Sequence, residues 1–134
     1  MSNGARPLSR GTLLRRVAGM LVGYYLHAWL ANRGDVAAAA APAASHLVTA
    51  LLPLALAALL AGYAATLVSG GSTRTARLLG IALAAIAILA TIQRLEQGLP
   101  PVAGHVAQIV TSPLCVAGGA LLERHRTLWL RRVP

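Results

Sequence analysis

Lysine and phenylalanine are absent from this chain of 134 residues, cysteine occurs once, and aspartate and glutamate together number three. Each shortage closes off a class of chemistry. A single cysteine, Cys115, excludes an intramolecular disulfide, and no CxxC is there to serve a redox or zinc site. Cys115 has no acid–base partner near it in sequence and reads as a small buried residue rather than a nucleophile. With only Asp35, Glu96 and Glu123 as carboxylates, a pair of acids sharing a reaction is nearly excluded. GxSxG, the P-loop, GxGxxG and HExxH are all missing. An enzymatic role therefore has no motif to rest on. Charge is scarce as well, at 11% of residues where a soluble domain carries about 25%.

Apolar residues fill the gap: 57% of the chain is hydrophobic and its mean hydropathy is +0.66. A chain this short has too little interior to hide that much apolar surface from water, whereas lipid removes the difficulty. Four apolar runs of roughly membrane-spanning length follow one another, at 13–31, 47–68, 76–95 and 102–122. The first and third have short apolar centres, 17–31 and 78–93, and reach full length by counting in arginines whose side chains extend to the interface. The expected fold is all-α: a single membrane domain over 1–134, with four transmembrane helices, a flexible basic N-terminus at 1–12 and a C-terminal tail at 123–134. A cleaved signal peptide is the rival reading of the first run, with Arg15 and Arg16 ahead of it and alanines at 37–44 behind. Tyr24, Tyr25, His27 and Trp29 suit a span ending in an aromatic interface belt better.

All twelve basic residues are arginine, and the net charge is +9. Arginine without lysine, beside abundant alanine and glycine, is the usage of a GC-rich bacterial genome. The basic residues flank the apolar runs, which is a topology signal rather than a nucleic-acid patch. Arg6, Arg10, Arg15 and Arg16 precede the first run. Arg74 and Arg77 lie in the turn SGGSTRTAR, and Arg124, Arg126, Arg131 and Arg132 follow the fourth run. Only Arg33 and Arg94 occupy the other two loops. Four spans put ten arginines on one face and two on the other, which predicts a bacterial plasma-membrane protein with both termini in the cytoplasm.

The runs also carry packing signals. Gly19 and Gly23 form a GxxxG in the first, where small residues let helix backbones approach. Pro53 and Pro113 lie inside the second and fourth, and each removes a backbone donor. In the fourth, His105, Gln108, Ser112, Cys115 and Gly119 follow helical spacing and share one face, which lipid would turn inward. Gly19, Gly23 and His27 share a face of the first.

The arginine-derived topology sets His27, His46 and His105 at one membrane level, the outer one, together with Arg94 and Glu96. The first reading of this group is interfacial anchoring and hydrogen bonding between helices. The alternative is a cofactor site, in which His27, His46 and His105 bind haem iron, copper or zinc or, with Gln108, hydrogen-bond a quinone. The expected function is a non-enzymatic accessory or interaction subunit. Its partners would be the lipid bilayer and other membrane-protein subunits or a second copy, with no nucleic acid. The alternatives are a haem- or quinone-binding anchor of a redox complex and a small oligomeric transporter or channel.

Overall fold

The structure, a computed structural model, describes residues 9–39, 46–100 and 103–130. It contains four α-helices: α1 (Arg10–Ala39), α2 (His46–Val68), α3 (Thr73–Glu96) and α4 (Ala103–Leu130). Three of them contain stretches long and apolar enough to cross a membrane, at Leu51–Val68, Thr73–Glu96 and His105–Leu130. The first helix, α1, is long but more polar, because Arg15, Arg16, His27, Asn32 and three aromatic residues dilute it. Helix α4 runs on through Leu130, past the apolar span ending at 122. The helical hydrogen-bond ladder needs no lipid to continue, so helix and span need not end together. The N-terminal residues 1–8 and the last four residues of the tail lie outside the described residues.

Two connections close with the same glycine device. After α2, the Gly71 N–H donates to the Thr66 carbonyl (2.8 Å) and the Gly70 N–H to the Leu67 carbonyl (3.2 Å). After α3, the Leu99 N–H donates to the Arg94 carbonyl (2.9 Å) and the Gly98 N–H to the Leu95 carbonyl (3.0 Å). Both are Schellman closures, which satisfy carbonyls that the helix end leaves without partners. Gly70 and Gly98 supply the left-handed backbone this requires, each at φ 71°.

Helix α2 packs along α1 on one side and α4 on the other, while α3 lies mainly on α4. Among the described residues α1 and α4 make no close backbone approach and sit diagonally across the bundle. The interior is small and the exterior large, the reverse of a water-soluble core. Ala57, Ala58, Ala61, Ala65 and Ala76 are buried, whereas Ile81, Leu89, Val110 and Leu114 face outward. Such an exterior suits lipid, and the small interior lets backbones gain dispersion contacts that lipid tails do not already offer.

Glycines let the backbones of α2 and α4 come close together. A methyl on Gly62 would collide with the Val116 carbonyl, and one on Gly119 with the Leu59 carbonyl. Gly19 and Gly23 do the same for α1 and α2: a methyl there would lie 2.7 Å from the Ala65 carbonyl oxygen and 3.0 Å from that of Ala61, respectively. On α3, Gly80 seats Pro113, whose Cα would lie 3.0 Å from a methyl at that position. Two hydroxyls inside the bundle return to their own helices: Thr66 donates to the Gly62 carbonyl (2.8 Å) and Thr91 to that of Ala87 (2.8 Å).

Candidate functional site

The polar face of α4 meets α1 through one hydrogen bond. Gln108 and His27 lie 2.9 Å apart, Nε2 to Nε2. Here the glutamine amide donates and the imidazole accepts, so the His27 proton sits on Nδ1. That nitrogen is buried and has no hydrogen-bond partner. His27 is only 3% exposed. It is held there because Gly19 and Gly23, on the same face, bring α1 down onto α2. The bond spans the bundle diagonal, which a long amide can bridge and a shorter side chain cannot.

Ser112 lies about one turn further along α4 and is 0% exposed, and its Oγ has no partner. His105 lies about one turn the other way. It is half-buried, with Nδ1 closed off from solvent and unbonded. The three residues form a column in which the middle one is satisfied and the outer two are not. Cys115, next on this face, is half-buried against the apolar core.

Arg94 and Glu96 take no part in this link. The Arg94 Nε donates to the Pro100 carbonyl (3.2 Å) and clamps the α3–α4 connection. Glu96 is exposed and forms no ion pair among the described residues. His46 opens α2, and its side chain lies outside what the structure describes. Among the described residues no three metal-ligating side chains converge. On α1, the Arg33 guanidinium stacks over the Trp29 ring at 4.7 Å, and Tyr24 and Tyr25 meet edge to face.

A second polar contact, at the end of the bundle holding Arg10 and Leu130, was not foreseen. Glu123 is 3% exposed and accepts two bonds from Arg126, from Nε (2.8 Å) and Nη2 (3.0 Å). The Tyr63 hydroxyl of α2 lies against the same carboxylate. The pattern Glu-x-x-Arg at 123–126 is the sequence signal that could have found it, since residues three apart on a helix are neighbours. Gly62 and Gly119 had a weaker signal, a spacing of small residues at Ala58 and Gly62 and at Cys115 and Gly119.

What the arrangement does chemically is limited. His27 and Gln108 form a neutral polar link across the bundle. Ser112 and His105 add polar atoms that a guest with hydrogen-bonding groups would satisfy. No protein family model, curated protein or solved structure matches the chain.

Proposed function

We propose that the chain is a four-span integral membrane protein of a bacterial plasma membrane, with both termini in the cytoplasm. In this reading it acts as a non-enzymatic accessory or interaction subunit. The observation that carries the proposal is the character of α1. Its inward side is closed by Gly19, Gly23 and His27, while Tyr24, Tyr25, Trp29 and Asn32 face outward. A helix presenting hydroxyls and an amide outward is served better by a protein neighbour than by lipid, which cannot hydrogen-bond them. The outward faces of α3 and α4, with Ile81, Leu89 and Leu114, suit lipid alone.

Two experiments test the proposal. Reporter fusions after Gly71 and after Arg132 should read cytoplasmic, and one after Asp35 external. A cytoplasmic reading after Asp35 removes the four-span arrangement. A photo-crosslinker at Tyr25 should yield a protein adduct of defined mass, while the same probe at Leu89 yields lipid adducts. Lipid adducts from both positions would sink the interaction role.

The second reading, a redox-complex anchor, draws on the unbonded buried atoms of Ser112, His105 and His27. A quinone fits them better than haem. Quinone carbonyls accept hydrogen bonds from a hydroxyl or an imidazole N–H, whereas the His27 Nε2, a nitrogen that would ligate iron, faces Gln108. Extraction of the purified protein should then release a stoichiometric quinone, and an extract free of quinone counts against it.

A further inference from the structure

At the arginine-bearing end, a shallow, largely open cleft of about 360 Å³ lies between α1 and the α2–α3 turn. Arg16 stands on the α1 side, and the turn 69–72 with Thr73 and Arg74 forms the other. The turn comes so close because Gly70 and Gly71 adopt φ of +71° and +85°, which side-chain-bearing residues rarely enter. Their N–H groups are used up in closing α2. The start of α3 is different. Ser72 occupies its cap position yet makes no side-chain bond to the helix. The Thr75 N–H closes onto the Ser72 carbonyl (3.2 Å), which leaves the first two N–H groups of α3, those of Thr73 and Arg74 in the cleft lining, without a helical partner and at the positive end of the helix dipole.

Two guanidinium groups from separate helices, Arg16 and Arg74, complete the lining, and no carboxylate is among it. The Arg16 Nε is shut off from solvent and has no hydrogen-bond partner. A charged donor removed from water without an acceptor is unfavourable. An anion in the cleft would reverse that, and arginine forks match the oxygen geometry of phosphate. Beside the cleft, and sharing Thr73 with it, runs an apolar groove floored by Ala76, Ala117, Ala120 and Leu121 between Arg77 and Arg124. A headgroup in the first and an acyl chain along the second would use both.

We infer that this cleft binds a phosphate group, supplied by the headgroup of an anionic phospholipid. The lipid source rests on the membrane orientation proposed above, which sets the cleft at the cytoplasmic surface; the phosphate chemistry does not depend on it.

The test is a titration of the purified full-length protein in detergent with phosphatidylglycerol, phosphatidylcholine or inorganic phosphate, read by native mass spectrometry. Phosphatidylglycerol should bind and raise the melting temperature, and phosphatidylcholine should do neither. Arg16→Gln should weaken phosphatidylglycerol binding about fivefold, the size expected for one arginine near an anionic surface. Arg74 is exposed, so Arg74→Gln probes the same cleft without disturbing the fold and should weaken binding similarly. Arg10→Gln, at the same end but outside the cleft, should leave binding unchanged. Equal losses from Arg10→Gln and Arg16→Gln would reduce the effect to diffuse charge and overturn the site. Inorganic phosphate that displaces the lipid at equal concentration would overturn the lipid source and leave a soluble phosphate ligand. Tyr25 crosslinking should be indifferent to these substitutions, so loss of the lipid effect with crosslinking intact sinks this inference alone.

Discussion

At the arginine-bearing end, the carboxylate of Glu123 is buried and accepts two hydrogen bonds from Arg126, with the Tyr63 hydroxyl beside it. At the opposite end, the imidazole of His27 is likewise closed off from solvent and takes one hydrogen bond from Gln108, while Ser112 and the His105 Nδ1 take none. The difference follows from charge. A buried ion without compensation costs far more than a neutral group short of one partner. The carboxylate is therefore surrounded, whereas the neutral cluster tolerates open valences. A neutral guest with hydrogen-bonding groups would therefore gain most at the His27 end. The arginine-bearing end has unmet groups of its own, the Thr75 hydroxyl and the Arg16 Nε, and the charged one seeks an anion and not a neutral guest.

The largest test of this contrast removes what joins the two ends. Gly119→Leu should force α4 off α2 and destabilise the protein by about 3 kcal/mol. Gly118→Leu, where a methyl meets nothing within 4 Å, should change little. Thermal unfolding in detergent measures both, and equal losses would mean that the α2–α4 contact does not organise the bundle. Gly23→Leu comes next. A larger side chain there meets Leu79 Cδ2, 2.5 Å from the first added carbon, and should lift α1, costing on the order of 1–3 kcal/mol. It should also expose His27 to reagents while Glu123 and Arg126 stay paired. Unchanged melting and association would place this face toward lipid.

The third test separates the partners at the arginine-bearing end. Arg126→Gln leaves a buried carboxylate short of its cation, whereas Glu123→Gln leaves an exposed guanidinium that water can solvate. The first should therefore lower the melting temperature more than the second, and the reverse order would show that Tyr63 alone satisfies Glu123. The smallest expected effect is at the opposite end. A double-mutant cycle with His27→Leu and Gln108→Leu should give a coupling of about 0.6 kcal/mol, the average for hydrogen bonds between membrane helices. A coupling several times larger would mean that this link does more than pack, and would strengthen the quinone reading.

The polar column on α4 was legible because helical spacing alone puts His105, Gln108 and Ser112 on one face, and Gly19, Gly23 and His27 were placed together in the same way. Which histidine Gln108 would meet was not legible. His27 and His105 stand at similar heights in the predicted topology, and spacing along one helix says nothing about what crosses from another. Arg94 and Glu96 were grouped with the histidines by height alone. Arg94 instead turns to the Pro100 carbonyl, six residues on, since a local acceptor is nearer than any across the bundle. Glu123 went unnoticed as a structural residue because a carboxylate at the end of an apolar run reads as a solvated end.

Local chemistry, carried by the sequence itself, determined that the chain is helical throughout its apolar runs. It also determined that the breaks fall at SGG and near Gly98, and that arginine gathers at one end. Each of these depends on residues within a few positions of one another, through hydrogen-bond ladders, left-handed glycines and runs of one polarity. Only the tertiary structure decided that α2 lies between α1 and α4, that Gly62 meets the Val116 backbone and Gly119 that of Leu59, and that Gln108 reaches the diagonal helix. Helix packing depends on where two surfaces cross, and many small-residue faces along this chain would permit a crossing. The choice among them is made by how all four helices fit at once, which no single stretch encodes.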